Sequence, residues 1–172
     1  NYNVAVGYQA GDALTTGIQN VAIGTNALSA ANNDESYNVA IGSHAMATVD
    51  DDDADHNIAL GYYALNATTA GASVAIGRES LKALTSGGGN IGIGFQSLTA
   101  LTTGTDNIAI GYAALQVADG AEDSNVVIGS GAGMSINNDA SDDNVFIGTY
   151  AGKGGTGELD RNVAIGYLAM DG

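Results

Sequence analysis

Aspartates are the residues of this chain best suited to chemistry, and many of them lie in one short run. Asp accounts for 15 of the 19 acidic residues in the 172-residue chain. Calcium is bound in proteins by several carboxylate and carbonyl oxygens. The densest run is therefore a candidate calcium site, with Asp50, Asp51, Asp52, Asp53 and Asp55 as ligands. The run has neither an EF-hand pattern nor a glycine-rich nonapeptide, which favours a solvated loop and a chain without a cofactor.

Enzymatic chemistry has little support in the sequence. The two histidines, His44 and His56, stand in no catalytic pattern, and the chain has no G-x-S-x-G motif of a serine nucleophile. Paired carboxylates can cleave glycans, but one of them must be held where its pKa is raised. The acids here fall in variable loops. We therefore predict that the protein is not an enzyme, and a glycan depolymerase ranks low.

Composition excludes several other classes of protein. The formal net charge is −15 with only 4 Lys and Arg residues, so the chain cannot build the basic face that nucleic acid requires. The chain has no Cys, which removes disulfide scaffolds and thiolate metal sites. No apolar run approaches the roughly 18–20 residues of a membrane helix, so we predict no membrane insertion.

The dominant feature is an internal repeat, N-[VI]-A-[VI]-G, which occurs ten times with small changes at spacings of 16–19 residues. Repeat positions are numbered here from its first residue. We interpret residues 1–172 as one repeat domain of about nine to ten coils and as a fragment of a longer fibre. The repeats start at Asn3, Asn20, Asn38, Asn57, Ser73, Asn90, Asn107, Asn125, Asn144 and Asn162.

Each repeat reads as one coil of an all-β, parallel β-solenoid. Positions 2–4 are rich in β-branched residues and predict a strand, while Gly at position 5 suits a corner. Positions 6–10 predict a second short strand, with positions 8 and 9 as its core. Two columns are expected to be structural: stacked amides at Asn20, Asn38, Asn57, Asn90 and Asn107, and corners at Gly24, Gly42, Gly61, Gly77, Gly94 and Gly111.

Both sides of the first strand are apolar, so we expect both sides to be buried. One side lies inside its own coil, and the other needs a cover. An identical parallel chain is the simplest cover, and three-fold symmetry suits a thin rod; the sequence therefore predicts a homotrimer. Aromatic residues at position 6 either pack a corner, which is favoured, or contact a glycan. The candidate glycan contacts are Tyr8, Tyr62, Tyr112 and Tyr167.

The segment N-V-A-I-G-T-N-A-L at residues 20–28 resembles the repeats of phage tail and side fibres. It is also similar to the head repeats of trimeric autotransporter adhesins, whose units are shorter. The T-T-G loops at residues 15–17 and 102–104 favour the phage type. The resemblance covers essentially the whole chain and implies a left-handed coil and a trimer.

The resemblance implies a structural role: the shaft or adhesive segment of a trimeric surface fibre that presents or contributes to host attachment. A cell-surface glycan or protein receptor is the implied partner, and a virion surface or an extracellular location follows. The alternative is a bacterial adhesin head that binds host matrix directly. An ice-binding solenoid ranks low because regular T-x-T rows are missing.

Overall fold

In a computed structural model, which describes residues 2–32, 34–49, 53–136, 141–154 and 159–170, the repeat forms a single parallel sheet. Each strand has three residues, and the strands pair in chain order. The strands are β1 (Val4–Val6), β2 (Val21–Ile23), β3 (Val39–Ile41), β4 (Ile58–Leu60), β5 (Val74–Ile76), β6 (Ile91–Ile93), β7 (Ile108–Ile110), β8 (Val126–Ile128), β9 (Val145–Ile147) and β10 (Val163–Ile165).

Every strand begins one residue after a predicted repeat start, and equivalent positions pair from coil to coil. Val39 pairs with Ile58, for example, and Ala40 with Ala59. The part of the chain that the structure describes contains no helix. The predicted all-β parallel solenoid is confirmed. It has about 8 turns, fewer than the nine to ten coils predicted.

The core of the solenoid is a set of small residues facing larger ones. Position 3 points inward and is usually Ala, as at Ala22 and Ala40, while positions 8 and 9 supply residues such as Ala27 and Leu28; all four are fully buried. Side chains alternate across a strand, so the Val and Ile at positions 2 and 4 point outward. The single chain leaves this side uncovered: Ile58 is 41% and Leu60 43% exposed. Burial of both sides of the strand therefore stays a prediction that depends on a partner.

Core volume is conserved within each coil. Where position 3 becomes Phe146, position 9 becomes Gly152, and a Cβ atom added to Gly152 would lie 2.6 Å from the Phe146 ring. Where position 3 is Gly92, position 8 of the same coil is Ser97 instead of Ala, and Ser97 bonds Ser80 of the preceding coil at 2.9 Å. Interiors are close-packed, so a larger residue at one inward position requires a smaller residue at another.

The predicted second strand is wrong: positions 6–10 form turns instead. Residues at positions 7 and 9 adopt positive φ even when they are not glycine, as Asn26 (55°) and Leu28 (49°) do. Their N–H groups then point to opposite neighbours. Asn26 donates to the preceding coil at the Tyr8 carbonyl (2.9 Å), and Leu28 donates to the following coil at the Ala45 carbonyl (3.0 Å). This segment therefore links the coils as the sheet does, without being extended.

The asparagine at position 1 bonds both the next coil and the end of its own coil. The Oδ1 atom of Asn38 accepts the N–H of Asn57 at 2.8 Å, and its Nδ2 donates to the Ala54 carbonyl at 2.8 Å. The same pair of bonds is made by Asn20, Asn107, Asn125 and Asn144. Ser73 breaks the column: its Oγ accepts the N–H of Asn90 at 3.3 Å, but it has no amide to donate.

Replacing Asn107 with Ala tests this ladder. The change removes the acceptor of the Asn125 N–H (3.0 Å) and the donor to the Glu122 carbonyl (2.6 Å). Each buried polar group left without a partner costs about 1–3 kcal/mol, so thermal denaturation should show a clearly lower melting temperature. Asn32→Ala, at an exposed loop position, is the control. Equal melting of the two variants would contradict the ladder.

Candidate functional site

The outward side of the sheet is the most distinctive surface of the molecule. Positions 2 and 4 of all ten strands are Val, Ile or Leu, and these side chains are exposed or half-buried. Strands in a sheet lie about 4.8 Å apart, so the ten strands form an apolar band roughly 43 Å long. We call this band the outward face. Exposed apolar patches of such extent mark interaction sites more often than free surface.

Two columns of side chains border the outward face. The leading column consists of the residue that precedes each repeat, and the trailing column consists of position 6. Side chains of both columns are exposed or half-buried. The leading column is Tyr2, Gln19, Tyr37, His56, Ala72, Gly89, Asp106, Ser124, Asp143 and Arg161; the trailing column is Tyr8, Thr25, Ser43, Tyr62, Arg78, Phe95, Tyr112, Ser130, Thr149 and Tyr167.

Part of the trailing column is an ordered row of rings around one cation. The Arg78 guanidinium carbon lies 5.8 Å from the Tyr62 ring centre and 5.5 Å from that of Phe95. Phe95 in turn stacks on Tyr112, with 5.4 Å between ring centres. Cation–π and stacking contacts hold these side chains in place. Arg78 was missed in the sequence because its role depends on the coils above and below it.

The structure separates the four candidate glycan contacts. Tyr62 and Tyr112 belong to the same row, where they are 46% and 60% exposed. Tyr8 and Tyr167 lie in the first and last coils, at opposite ends of the sheet. The four tyrosines therefore do not form one continuous surface for a ligand.

A polar network runs beside the row of rings. Glu79 accepts hydrogen bonds from Gln96 Nε2 at 2.8 Å and from Arg78 Nη2 at 3.2 Å, and Gln116 donates to Gln96 at 2.8 Å. The bond from Gln96, aided by the Arg78 charge, lowers the pKa of Glu79 from its ordinary value. The network fixes side chains of three successive coils relative to each other.

The acidic loops act as hydrogen-bond acceptors between coils. The Asp55 carboxylate accepts the Ser36 N–H at 2.6 Å, and the Asp123 carboxylate accepts the Thr105 N–H at 2.6 Å. Asp50, Asp51 and Asp52 of the candidate calcium run lie outside the described residues. Among the residues that are described, no group of three or more His, Cys, Asp or Glu side chains could hold a metal ion.

Two acids depart from the expectation of solvated loops. Glu35 and Glu122 are fully buried, and their carbonyls accept the amides of Asn20 and Asn107. The Glu122 carboxylate accepts the N–H of Gly120 at 3.1 Å. These buried glutamates therefore join the end of each loop to the asparagine of the same coil.

Both histidines take part in surface stacking. His44 stacks on Tyr63 with ring centres 4.8 Å apart and bonds Ser43 Oγ at 2.9 Å. His56 stacks on Tyr37 at 4.8 Å. Each ring is thus used as a flat packing surface between adjacent coils.

Comparisons with known proteins give no assignment: no family model, no curated protein and no solved structure matches the chain. A search of the described residues for a helix able to cross a membrane finds none. The fold itself is a parallel β-solenoid, and its function has to be argued from the surfaces described above.

The lowered pKa of Glu79 predicts a pH-dependent contribution to stability. Its ionised form is favoured in the folded chain, so the contribution is present above the ordinary value of 4.5 and is lost as the pH falls through the lowered pKa. Glu79→Gln should therefore lower the melting temperature at neutral pH and have little effect in strong acid. Asp12→Asn, at an exposed site, controls for net charge. A difference between Glu79→Gln and wild type that persists unchanged in acid would contradict the assignment.

Proposed function

We propose that the chain is a shaft or adhesive segment of a surface fibre, built from three parallel copies and without catalytic activity. The outward face is the observation that carries the proposal. A fibre of this kind belongs on a virion surface or outside a cell, where it holds an attachment site for a glycan or protein receptor away from the particle. The sequence resemblance to phage fibre repeats supports the same reading.

The free energy for assembly comes from the outward face. Burying apolar surface contributes about 25 cal/mol per Å², and every strand offers two branched aliphatic side chains to a partner. The inward side of the sheet is already filled by Ala22, Leu28 and their equivalents, so this gain is available only between chains. A single copy would leave the apolar band in water along its full length.

Cyclic symmetry with parallel chains suits a repeat of this kind. Rotation about an axis along the rod keeps each repeat level with the same repeat of its neighbours, so Val and Ile meet Val and Ile throughout. Three copies bring three outward faces to one axis and leave the loops of variable length outside. The loops can then differ between coils without disturbing the shared core.

Ile110→Asp tests the assembly, and Ala109→Asp is its matched partner on the same strand. Ala109 is fully buried, whereas Ile110 is half-buried on the outward face. A buried unpaired charge costs several kcal/mol, so Ala109→Asp should abolish folding. Ile110→Asp should leave circular dichroism intact but convert a trimer into a monomer. Light scattering with size-exclusion chromatography measures the mass against the 17.1 kDa chain.

Two results would contradict the proposal, and each would contradict a different part of it. A folded wild-type monomer at micromolar concentration would overturn the proposed assembly. An Ile110→Asp variant that stays trimeric would show that the chains associate through another surface.

The charge of the chain predicts that salt strengthens assembly. Each copy carries −15 with only four basic residues, so parallel copies repel one another. The screening length falls from about 30 Å at 0.01 M salt to about 8 Å at 0.15 M. The dissociation constant measured by analytical ultracentrifugation should therefore decrease over this range. A constant that rises with NaCl would show that attraction between charges dominates the contact.

A further inference from the structure

The net negative charge of the chain is absent from one part of every repeat. Positions 6–10, which follow each strand, contain three acidic and three basic residues across the ten repeats. These residues are Asp12, Glu79, Asp171, Arg78, Lys82 and Lys153. Their formal charges cancel, so the net charge of −15 belongs entirely to the rest of the chain. We call the surface formed by positions 6–10 the turn side.

The middle of the turn side carries a cluster of ordered rings. Tyr62 and Tyr63 meet edge to face with ring centres 4.5 Å apart, and the Lys82 ammonium lies 5.3 Å from the centre of the Tyr63 ring. These contacts join the stack of Tyr63 on His44 to the row of rings around Arg78. The side chains are therefore held in place before a ligand arrives, which reduces the conformational entropy lost on binding.

One face of Tyr112 is open at the end of this row. Phe95 covers the other face, with the two ring planes 8° apart. Because the rings stack from coil to coil, their faces point along the rod. The next residue of the trailing column is Ser130, which is too short to cover a ring, and Tyr112 is 60% exposed. The C–H face of a sugar ring can stack on such an open aromatic face.

Hydrogen-bonding groups lie beside the rings. Gln116 donates to Gln96, and Gln96 donates to Glu79, so each amide uses one N–H. Among the described residues, no group bonds the second N–H of either amide or the Oε1 atom of Gln116. The three side chains are half-buried. Amide groups that can both donate and accept suit sugar hydroxyls, which also do both.

Charge and spacing define the class of sugar. The Arg78 guanidinium already pairs with the Glu79 carboxylate at 3.2 Å, and the acidic remainder of the rod repels a polyanion. A neutral glycan meets neither obstacle. Coils are about 4.8 Å apart, which is close to the length of one sugar unit in an extended polysaccharide. Successive sugars can therefore follow successive coils.

We propose that the row of rings, together with the Gln116, Gln96 and Glu79 side chains beside it, binds a neutral polysaccharide laid along the turn side. One sugar unit stacks on the open face of Tyr112, and its neighbours bond the amides. The inference rests on the proposed fibre and makes this segment adhesive in its own right. Positions 7 and 10, which carry the amides, follow position 6 away from the sheet and so from the outward face.

Adding a ring beside Tyr112 tests the stacking site. Ser130→Tyr covers the open face of Tyr112 and should weaken binding at least about tenfold. Thr25→Tyr adds the same ring at an exposed position of the same column, two repeats before Tyr62, and should leave binding unchanged. The probes are an array of neutral oligosaccharides of glucose, galactose and mannose and of acidic oligosaccharides of uronic acids. Circular dichroism checks that both variants remain folded.

Removing one amide tests the polar row. Gln96→Ala should also weaken binding at least about tenfold, and Gln9→Ala, at the equivalent exposed position of the first repeat, should not. Alanine is tolerated at this position, since Ala113 adopts φ 52° there. Affinity for a neutral ligand should stay constant between 0.01 M and 0.15 M NaCl, because screening acts only between charges.

The outcomes separate this site from the proposed fibre. A wild-type trimer that binds none of the neutral oligosaccharides overturns the site and leaves the fibre standing. Equal binding by the Ser130→Tyr and Thr25→Tyr variants also overturns the site. Preference for the uronic acids, with binding weakened by NaCl, overturns the assignment to a neutral ligand. A wild-type monomer that binds neutral glycans overturns the assembly alone.

Discussion

Every feature of this molecule depends on the backbone hydrogen bonds that hold successive coils in one register. Parallel pairing places each residue above its equivalent in the previous repeat, as Ala22 lies above Ala40. A position in the repeat is therefore an environment shared by ten residues. Asn, Ala and Gly recur in columns because each column has one local requirement. Asn supplies hydrogen bonds between coils, Ala fits the volume of the core, and Gly allows the close approach of two backbones.

The glycine column illustrates how strict that environment is. Gly24 has φ +128°, and a Cβ atom added to it would lie 2.7 Å from the carbonyl of Gly42 in the next coil. Both the backbone angle and the contact exclude a side chain. The core column is more tolerant, since Phe146 and Gly152 exchange volume within one coil. Side-chain size can vary only where another residue of the same coil changes size to compensate, or where the side chain extends into solvent.

Much of the fold could be predicted from the sequence because the repeat is short and regular. The ten motif starts locate all ten strands, and a buried Asn column is expected wherever amides stack between coils. The turn-like second segment could not be predicted, because the positive φ of Leu28 and Met46 arises from bonding to coils on both sides. Alternation also showed that Val21 and Ile23 share a side of the strand, but not that this side points outward. The small Ala at position 3 was the available signal.

The surface was harder to predict from the sequence than the fold. The row formed by Tyr62, Arg78, Phe95 and Tyr112 exists only after four coils are stacked, and an arginine among tyrosines carries no local signature. The buried Glu35 and Glu122 were hidden among acids that the charge pattern assigns to loops. In a solenoid, neighbours in space are one repeat apart, so surface chemistry has to be read down the columns.

The break at Ser73 changes which side chains carry a load along the rod. Below Ser73 the asparagine column supplies a single bond of 3.3 Å. Other side chains cross the same plane: Ser80 bonds Ser97 at 2.9 Å in the core, and Gln96 donates to Glu79 at 2.8 Å on the surface. A rod under tension or shear would therefore be held at this plane by its core and its surface rather than by the asparagine ladder.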